Sequence, residues 1–392
     1  MIDIKAAPFN LDDEGGKWVE ETKQNMTLEE KIGQLMIPIG YSADPGYLQH
    51  VMLDHHIGGI LYRCGESEEM QACHRWLQEH SKIPLFIAAN LEAGGDGIAT
   101  DGTSFGKQME IAATGDPEQA YRLGKVSCAE GKAVGCNWAF APVVDIDRNW
   151  RNPITNVRTY GDDPEFVLKC GLAYKRAADE ENVAVSIKHF PGDGCDEVDQ
   201  HILTSVNNLS CEEWDASYGK VYKALIDAGL ESIMVGHICQ PSYSRKFRPG
   251  IKDEEIMPAT LAPELLQDLL RGQLGFNGLI VTDATHMAGI LNAASRKKVM
   301  PGVIAAGCDM ILFFNDPAED IAYVKEGLED GTLTEERLHD AVRRILGMKA
   351  MLGLPERTFP EKEGLSVVGC QEHHGAAQRA ADQSITLVKD TQ

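Results

Sequence analysis

Eight short apolar runs recur along the chain, and stretches with helical periodicity lie between them. Runs that are apolar throughout suit strands covered on both faces, as in a parallel sheet. Eight such strands alternating with helices predict an α/β fold, a (β/α)8 TIM-type barrel rather than an open sheet. The runs cover residues 35–39, 58–62, 85–89, 138–144, 184–187, 232–235, 279–281 and 310–314.

The intervening stretches predict the barrel helices and the domain limits. Helical patterns cover residues 117–135, 164–181, 211–229, 259–274 and 334–351, and Thr27 with Glu30 forms a capping-box signature before the first run. Residues 1–354 are predicted to form the barrel, and the prolines and glycine of 355–364 indicate a linker. A helix-like segment, 371–383, and a strand-like end, 385–389, follow. This C-terminal tail either docks on the barrel or begins a second domain.

The composition limits the partners and the compartment. Asp and Glu number 60 against 37 Lys and Arg, so the formal net charge is −23. Such a surface repels phosphate backbones and anionic lipids, which disfavours nucleic acid and membrane partners. No apolar run of about 18 residues and no signal-peptide pattern is present. Ten scattered cysteines without a CxxC pair favour reduced thiols in a cytoplasmic protein, and the oligomeric state stays open.

Polar residues follow six of the apolar runs, where a barrel gathers its chemistry. At any single strand end, a turn or cap residue is the ordinary explanation. Six such ends together favour a functional site at the C-terminal face of the barrel. The residues are Asn90 and Glu92, Asp145 and Asp147, Lys188 and His189, His237, Asp283, and Asn315.

The segment 188–201 carries the most informative pattern. Lys188 and His189 end a strand, a Pro-Gly loop follows, and Asp199 then stands two residues before His201. A carboxylate at this spacing can orient an imidazole and raise its basicity, as general acid/base catalysis requires. The alternative is a solvated loop in which the Asp-x-His pattern occurs by chance.

Two further residues are candidates, one at a strand end and one before a helix. Asp283 ends an apolar strand, where a lone carboxylate suits a nucleophile or a metal ligand. Arg158 precedes a predicted helix and could form forked hydrogen bonds to hydroxyls or to a carboxylate. It could instead form an ion pair with Asp145 or Asp147.

Together these motifs resemble glycoside hydrolase family 3, in particular its β-N-acetylglucosaminidase (β-N-acetylhexosaminidase) branch. The similarity extends from Met26 to about residue 354. It is carried in family order by Ala-Pro-Val-Val-Asp at 141–145, Arg-Thr-Tyr-Gly-Asp-Asp-Pro at 158–164, Lys-His-Phe-Pro-Gly at 188–192 and Val-Thr-Asp at 281–283. Asp199-Gln200-His201 is similar to the branch's Asp-Ser-His, whose His is the acid/base. In the family's β-glucosidases a Glu of a later domain has that role.

The resemblance implies that Asp283 is the nucleophile and that His201 is the acid/base, held by Asp199. It also implies that Arg158, Lys188 and His189 hold the sugar. Asn90 and His237, which follow two other strands, complete the predicted set. The predicted sugar-binding residues are Asn90, Arg158, Lys188, His189 and His237.

The implied reaction is double displacement with retention on a carbohydrate substrate, and it needs no metal or organic cofactor. A neutral imidazole does not repel an anion as a carboxylate would, so phosphate could replace water as the acceptor. The chain could also be a β-glucosidase or β-xylosidase, or a non-catalytic sugar-binding barrel.

Three departures from the family pattern stand out. The first sugar-binding loop of the family reads Asp-x-Glu-Gly-Gly-Arg, whereas residues 90–96 begin with Asn90, carry one extra residue and lack the Arg. Asp193 stands where the family has His in Pro-Gly-His-Gly. Residues 380–389 are similar to the start of the linker that precedes the second domain in two-domain members. Asn90 keeps an acceptor without the charge, which predicts a changed contact with a sugar hydroxyl.

Overall fold

The eight predicted strand positions form one parallel sheet that closes on itself. A computed structural model describes residues 2–62 and 65–390. The barrel strands are β1 (Met36–Ile37), β2 (Ile39–Gly40), β3 (Gly59–Tyr62), β4 (Phe86–Ala89), β5 (Trp138–Ala139), β6 (Ala184–Phe190), β8 (Ser232–Val235), β10 (Leu279–Ala284) and β11 (Met310–Leu312). The sheet runs in the order β1-β11-β10-β8-β6-β5-β4-β3-β2, and all its pairs are parallel.

Closure occurs at the first strand position, which Pro38 divides into β1 and β2. On one side Met36 pairs with Ile311, and on the other side Ile39 pairs with Leu61. Proline has no amide hydrogen for a ladder bond, so the two pieces are assigned separately although they occupy one place in the barrel. The predicted (β/α)8 barrel is confirmed.

Helices surround the sheet, and one small sheet lies outside it, formed by β7 (Ser205–Val206) and β9 (Ile238–Cys239). The α-helices are α1 (Asp13–Gln24), α2 (Leu28–Gln34), α3 (Pro45–Tyr47), α4 (Ser67–His80), α5 (Gln108–Ala113), α6 (Glu118–Ala133), α7 (Pro164–Glu180), α8 (Cys211–Trp214), α9 (Lys220–Asp227), α10 (Pro241–Phe247), α11 (Ala288–Leu291), α12 (Arg296–Ala306), α13 (Pro317–Glu329), α14 (Glu335–Met351) and α15 (Gln371–Ser384). The predicted helix 211–229 is continuous, with a π-helical turn between α8 and α9, and 259–274 is largely π-helical.

Local signals in the sequence explain several element ends. Thr27 and Glu30 form the predicted capping box at the start of α2, with reciprocal bonds of 3.2 and 2.9 Å. The strand predicted over 138–144 is shorter than expected because Pro142 interrupts the pairing. Only an isolated bridge between Val143 and Lys188 follows it.

The strand predicted over 385–389 was wrong. These residues have no regular structure, and Ile385, Leu387 and Val388 are exposed. A closed barrel has no free edge to which another strand could add. The helix before them does dock, because α15 packs on α5 and α6 through buried alanines at 376, 377 and 380.

Glu130, on α6, joins the C-terminal segment to the loop after β4. Its buried carboxylate accepts bonds from Thr103 N and Oγ1, from Gly369 N at 3.1 Å and from His373 Nδ1 at 2.7 Å. Burial opposes ionisation, but the bonds from His373 and Thr103 keep the pKa of Glu130 below its ordinary value. The loop that carries Asn90 and Glu92 is therefore fixed from behind.

Residues 2–62 and 65–390 contain neither a membrane-spanning helix nor a disulfide. Every helix in this part of the chain is too short or too polar to cross a membrane. The nine cysteines in it are free thiols, and six of them are buried. Cys64 lies outside the described residues.

Candidate active site

A cavity of about 230 Å³ opens at the C-terminal end of the barrel. Sites for drug-sized molecules usually measure about 300–1,000 Å³, so this volume suits a single sugar ring better than a longer ligand. Six of the eight predicted site residues line the cavity, and Asp199 and His237 each contact a residue that does. The cavity is lined by Ile39, Leu61, Asn90, Glu92, Phe140, Arg158, Lys188, His189, His201, Met234, Asp283, Ala284, His286, Met287, Leu312 and Phe313.

Asp283 stands at the end of β10 with its carboxylate at the cavity. Its side chain is 15% exposed, Oδ1 accepts a bond from Ala284 N at 2.7 Å, and Oδ2 lies 3.9 Å from His189 Nε2. Burial works against the charged form, but attraction to the neighbouring histidine and the Ala284 bond outweigh it. The pKa of Asp283 is therefore lowered, and the carboxylate is ionised at neutral pH.

His189 is held by Asp145, which is fully buried after β5. One carboxylate oxygen of Asp145 accepts from His189 Nδ1 at 2.7 Å, and the other accepts the His189 amide at 3.0 Å. A carboxylate only accepts, so Nδ1 carries a proton, and Nε2 faces the second carboxylate, Asp283 Oδ2, at 3.9 Å. Asp145 therefore sets the orientation of the ring beside the candidate nucleophile.

Glu92 holds the two cations of the site together. Its carboxylate accepts from Arg158 Nε and Nη2, both at 2.9 Å, and lies 2.6 Å from Lys188 Nζ. Burial opposes the charge on Glu92, but the two cations keep its pKa well below the ordinary range. Burial lowers the pKa of Lys188, whereas Arg158 has a raised pKa because the attraction of Glu92 exceeds its burial cost.

The ion pair considered for Arg158 with Asp145 or Asp147 was wrong. The forked pair forms with Glu92, which enters the cavity from the end of β4, whereas Asp145 is occupied by His189. Nη1 of Arg158 takes no part in the pair with Glu92.

Asn90 lies at the rim of the same cluster. Its Oδ1 accepts from Lys188 Nζ at 3.2 Å, and the residue is exposed at the cavity mouth.

His201 and Asp199 form the predicted pair in the loop after β6. His201 Nδ1 lies 2.7 Å from Asp199 Oδ1, which also accepts the His201 amide at 2.8 Å. Because the carboxylate accepts the Nδ1 proton, Nε2 is left for a ligand. His201 lines the cavity together with Asp283, although its side chain is 54% exposed.

His237 lies beneath the site rather than at its wall. It is fully buried, Nε2 contacts the carbonyl of Ala284 at 3.0 Å, and Nδ1 contacts Thr260 Oγ1 at 3.1 Å. Since a carbonyl only accepts, Nε2 donates and Nδ1 accepts the threonine proton. Burial lowers the pKa of this ring, and both nitrogens are already used within the protein.

Two carboxylates were seen at strand ends in the sequence without a role. Glu92 and Asp145 prove to hold Arg158, Lys188 and His189 in place. The sequence held a clue to these roles, because buried cations such as Arg158 and Lys188 need a buried carboxylate as a counter-charge. Among the described residues no group of three or more His, Cys, Asp or Glu side chains could hold a metal ion.

The segment that carries the site residues matches the model of a known family. The model of the "Glycosyl hydrolase family 3 N terminal domain" matches residues 27–348. The chain belongs to glycosyl hydrolase family 3. The predicted membership, and with it the prediction of a glycoside hydrolase, is confirmed.

Family 3 relatives match almost all of this chain. A "Beta-N-acetylglucosaminidase/beta-glucosidase" from Cellulomonas fimi is 48% identical over 391 residues, which is 100% of this chain and 69% of that protein. The solved structure of "Beta-glucoside phosphorylase BglX bound to 2FGlc" has a TM-score of 0.96 at 46% identity and covers 99% of this chain and 70% of its own. A family 3 beta-N-acetylglucosaminidase from Paenibacillus sp. str. FPU-7 has a TM-score of 0.85 at 27% identity, covering 94% of this chain and 70% of its own.

Proposed function

We propose that this protein is a retaining β-glycosidase that removes terminal β-linked N-acetylglucosamine or glucose. Asp283 would be the nucleophile and His201 the acid/base. The observation that carries the proposal is that a partly exposed, ionised carboxylate and a carboxylate-held imidazole line the same sugar-sized cavity. The similar Cellulomonas fimi protein, named for both sugars, supports the substrate class.

In the first step Asp283 attacks the anomeric carbon, and the bond from that carbon to the leaving oxygen breaks. His201 donates its Nε2 proton to the leaving oxygen, so the aglycone departs neutral and a glycosyl ester remains. Asp199 stabilises the imidazolium before transfer, since its carboxylate bonds to Nδ1. His189 lies beside Asp283 and keeps the attacking carboxylate ionised.

In the second step water attacks the same carbon and loses a proton to Nε2 of His201. The ester bond breaks, the carboxylate of Asp283 is restored, and two inversions give net retention. Each proton and electron pair is accounted for by groups of this chain.

The cations of the site are arranged to bind sugar hydroxyls. Glu92 accepts hydrogen bonds from Nε and Nη2 of Arg158, which leaves Nη1 to donate to the ligand. Of the three protons on Lys188 Nζ, one is directed to Glu92 and one to Asn90, which leaves the third. Donors fixed in this way bind without reordering, because the ion pairs hold them before the sugar arrives.

A second candidate reaction is phosphorolysis at the same site. The acid/base is an imidazole rather than a carboxylate, and a neutral ring does not repel an incoming phosphate. The 46% identical solved structure of a beta-glucoside phosphorylase favours this acceptor. Phosphate would then take the place of water in the second step, and the product would be a sugar 1-phosphate with retained configuration.

The nucleophile is tested by Asp283→Ala, with Asp147→Ala, in the loop after β5, as the control. We expect Asp283→Ala to lose more than about 99% of activity on aryl β-glycosides, by the order of magnitude usual for nucleophile loss, with little change in Tm. Asp147 does not line the cavity, so its variant should stay active. Activity of Asp283→Ala above about a hundredth would refute the assignment, and inactivity of the wild type on every sugar would favour a binding protein.

The acid/base is tested by His201→Ala with two leaving groups. A dinitrophenolate departs without a proton, whereas an alkyl aglycone needs one and should react roughly 10²–10⁴-fold more slowly. A glycosyl ester on Asp283 should accumulate with the dinitrophenyl substrate, and azide should release it as a β-glycosyl azide. Parallel reactions of the wild type in phosphate and in phosphate-free buffer identify the preferred acceptor. Equal losses for both leaving groups, with no ester and no azide product, would contradict the role.

A further inference from the structure

Gln200 is a buried residue between two more exposed neighbours. It lies between Asp199 and His201, yet its side chain is fully buried, whereas that of His201 is 54% exposed. Its Oε1 accepts the amide of His237 at 2.8 Å, and its Nε2 donates to Asp193 Oδ2 at 3.0 Å. The loop that carries the acid/base is thus anchored through a side chain that points inward.

The direction of these bonds is fixed. The His237 amide can only donate, so the oxygen of Gln200 must face it and the nitrogen must face residue 193. Asp193 is 1% exposed, and its other oxygen accepts from Asn152 Nδ2 at 2.9 Å and from Gly194 N at 2.7 Å. Position 193 therefore has to offer acceptors only, which a carboxylate does and a carboxamide does not.

Both ends of this bond are departures from the family pattern. Asp193 stands in place of the His of Pro-Gly-His-Gly, and Gln200 stands in place of the Ser of Asp-Ser-His. The structure brings the two departures into contact at 3.0 Å. Each of the two residues therefore supplies a hydrogen-bond partner for the other.

We propose that Asp193 and Gln200 are positioning residues that hold Nε2 of His201 in line with the leaving oxygen. This inference rests on the proposed role of His201. Neither residue lines the cavity, so neither touches the sugar. Their effect passes through the backbone of 199–201 to the imidazole. Asp193 also contacts Asp145, the carboxylate that holds His189, but it does so through its backbone amide at 2.8 Å, which a side-chain substitution leaves in place.

The test reverses the polarity of the bond. Asp193→Asn places an amide donor against the donor of Gln200, and Gln200→Glu places a carboxylate against Asp193. The double variant Asp193→Asn/Gln200→Glu restores one donor facing one acceptor, keeps the acceptor for His237 N and leaves the net charge unchanged. A side chain that only filled space would not respond to this exchange.

We expect each single variant to slow the hydrolysis of an alkyl β-glycoside by about 10- to 100-fold, in line with the cost of a displacement of about 1 Å. The dinitrophenyl glycoside needs no proton, so its first step, measured in single turnover, should change by less than about threefold. The double variant should recover to within a few-fold of the wild type on both substrates.

Gln200→Met removes both hydrogen bonds of the side chain without placing two donors or two acceptors against each other. If the polar variants fold poorly, this variant is compared with the wild type on the same two substrates. Gln240→Met is the matched control, because Gln240 is equally buried and also bonds through both ends, to Leu209 O and Tyr243 N. Its loss should lower Tm without any dependence on the leaving group.

Three results would overturn the inference. They are an equal loss for both leaving groups, no loss in the single variants, and no recovery in the double variant. His201→Ala distinguishes these from failure of the proposed function. If His201→Ala itself shows no dependence on the leaving group, the acid/base role fails. If it does and the Asp193 and Gln200 variants do not, only the positioning role fails.

Discussion

Glu92→Gln is the substitution that tests how the sugar site is held together. The carboxylate makes two bonds to Arg158 and one contact with Lys188. Glutamine keeps the shape and one acceptor, but its amide group would face an N–H of the guanidinium. Two cations would then share one neutral oxygen inside the barrel.

The size of the effect follows from those contacts. Removing one partner of a buried ion pair costs about 3–5 kcal/mol, and a lost bond to a charged group costs about 1.5–3 kcal/mol. Arg158 is one-quarter exposed and can recruit water, and Lys188 keeps its bond to Asn90. We therefore expect a loss of about 3 kcal/mol in the free energy of unfolding, at the lower end of the first range.

Urea denaturation of the wild type and Glu92→Gln gives this value directly. The control is Glu326→Gln, which removes one partner of the exposed Lys297–Glu326 pair. Exposed pairs contribute little to stability, because water screens the two charges, so this variant should be close to the wild type. A loss of less than about 1 kcal/mol for Glu92→Gln would refute the reasoning, since it would mean that water already solvates the two cations.

The pH dependence provides a second check on the same residue. The folded protein holds the pKa of Glu92 below its ordinary value of 4.5, so the stabilisation is complete above that pH and is lost as the pH falls further. The difference in unfolding free energy between the wild type and Glu92→Gln should be constant from about pH 8 to about pH 5. It should narrow below pH 4.5.

The other predictions concern single contacts of the site and its support. Asn90→Asp adds a carboxylate beside Lys188, so we expect a lower KM or a changed sugar preference, measured on a panel of aryl glycosides; unchanged kinetics on every sugar would show that Asn90 does not touch the ligand. Asp199→Asn keeps an acceptor for His201 but loses its charge, so kcat on an alkyl glycoside should fall about tenfold, less than in His201→Ala. His373→Ala removes one bond to Glu130 and should lower the unfolding free energy by about 1–2 kcal/mol, while kcat stays within about twofold; a large loss of kcat would show that α15 acts on the chemistry.

The barrel could be predicted from the sequence because each strand is buried on both faces. Such strands are mostly apolar before their C-terminal ends, which makes them recognisable from the sequence alone. Their ends place Asp283, Lys188 and His189 at one face. The first strand position, which the structure divides into β1 and β2, was predicted as one strand because its residues form one apolar run. Pro38 removes a hydrogen bond but leaves the apolar pattern intact.

The supporting contacts could not be predicted, because they join residues distant in sequence. Glu92 and Arg158 are 66 residues apart, and nothing local distinguishes this glutamate from a turn residue. His237 was expected at the sugar, but its ring turns inward to Thr260 and Ala284, a choice that only the packing decides. The apolar letters of 385–389 indicated a strand, although the closed sheet offers no edge to pair with.

Glu130 has a consequence for how the barrel opens locally. One carboxylate accepts the amides of Thr103 and Gly369, which are far apart in the chain, so neither segment can detach without leaving a buried charge short of donors. The loop behind Asn90 and the C-terminal segment should therefore form one cooperative unit in native-state hydrogen exchange. Their amides should share a common free energy of opening, and that free energy should fall in both segments when only α15 is weakened. The support of the sugar-binding loop thus depends on residues outside the barrel strands.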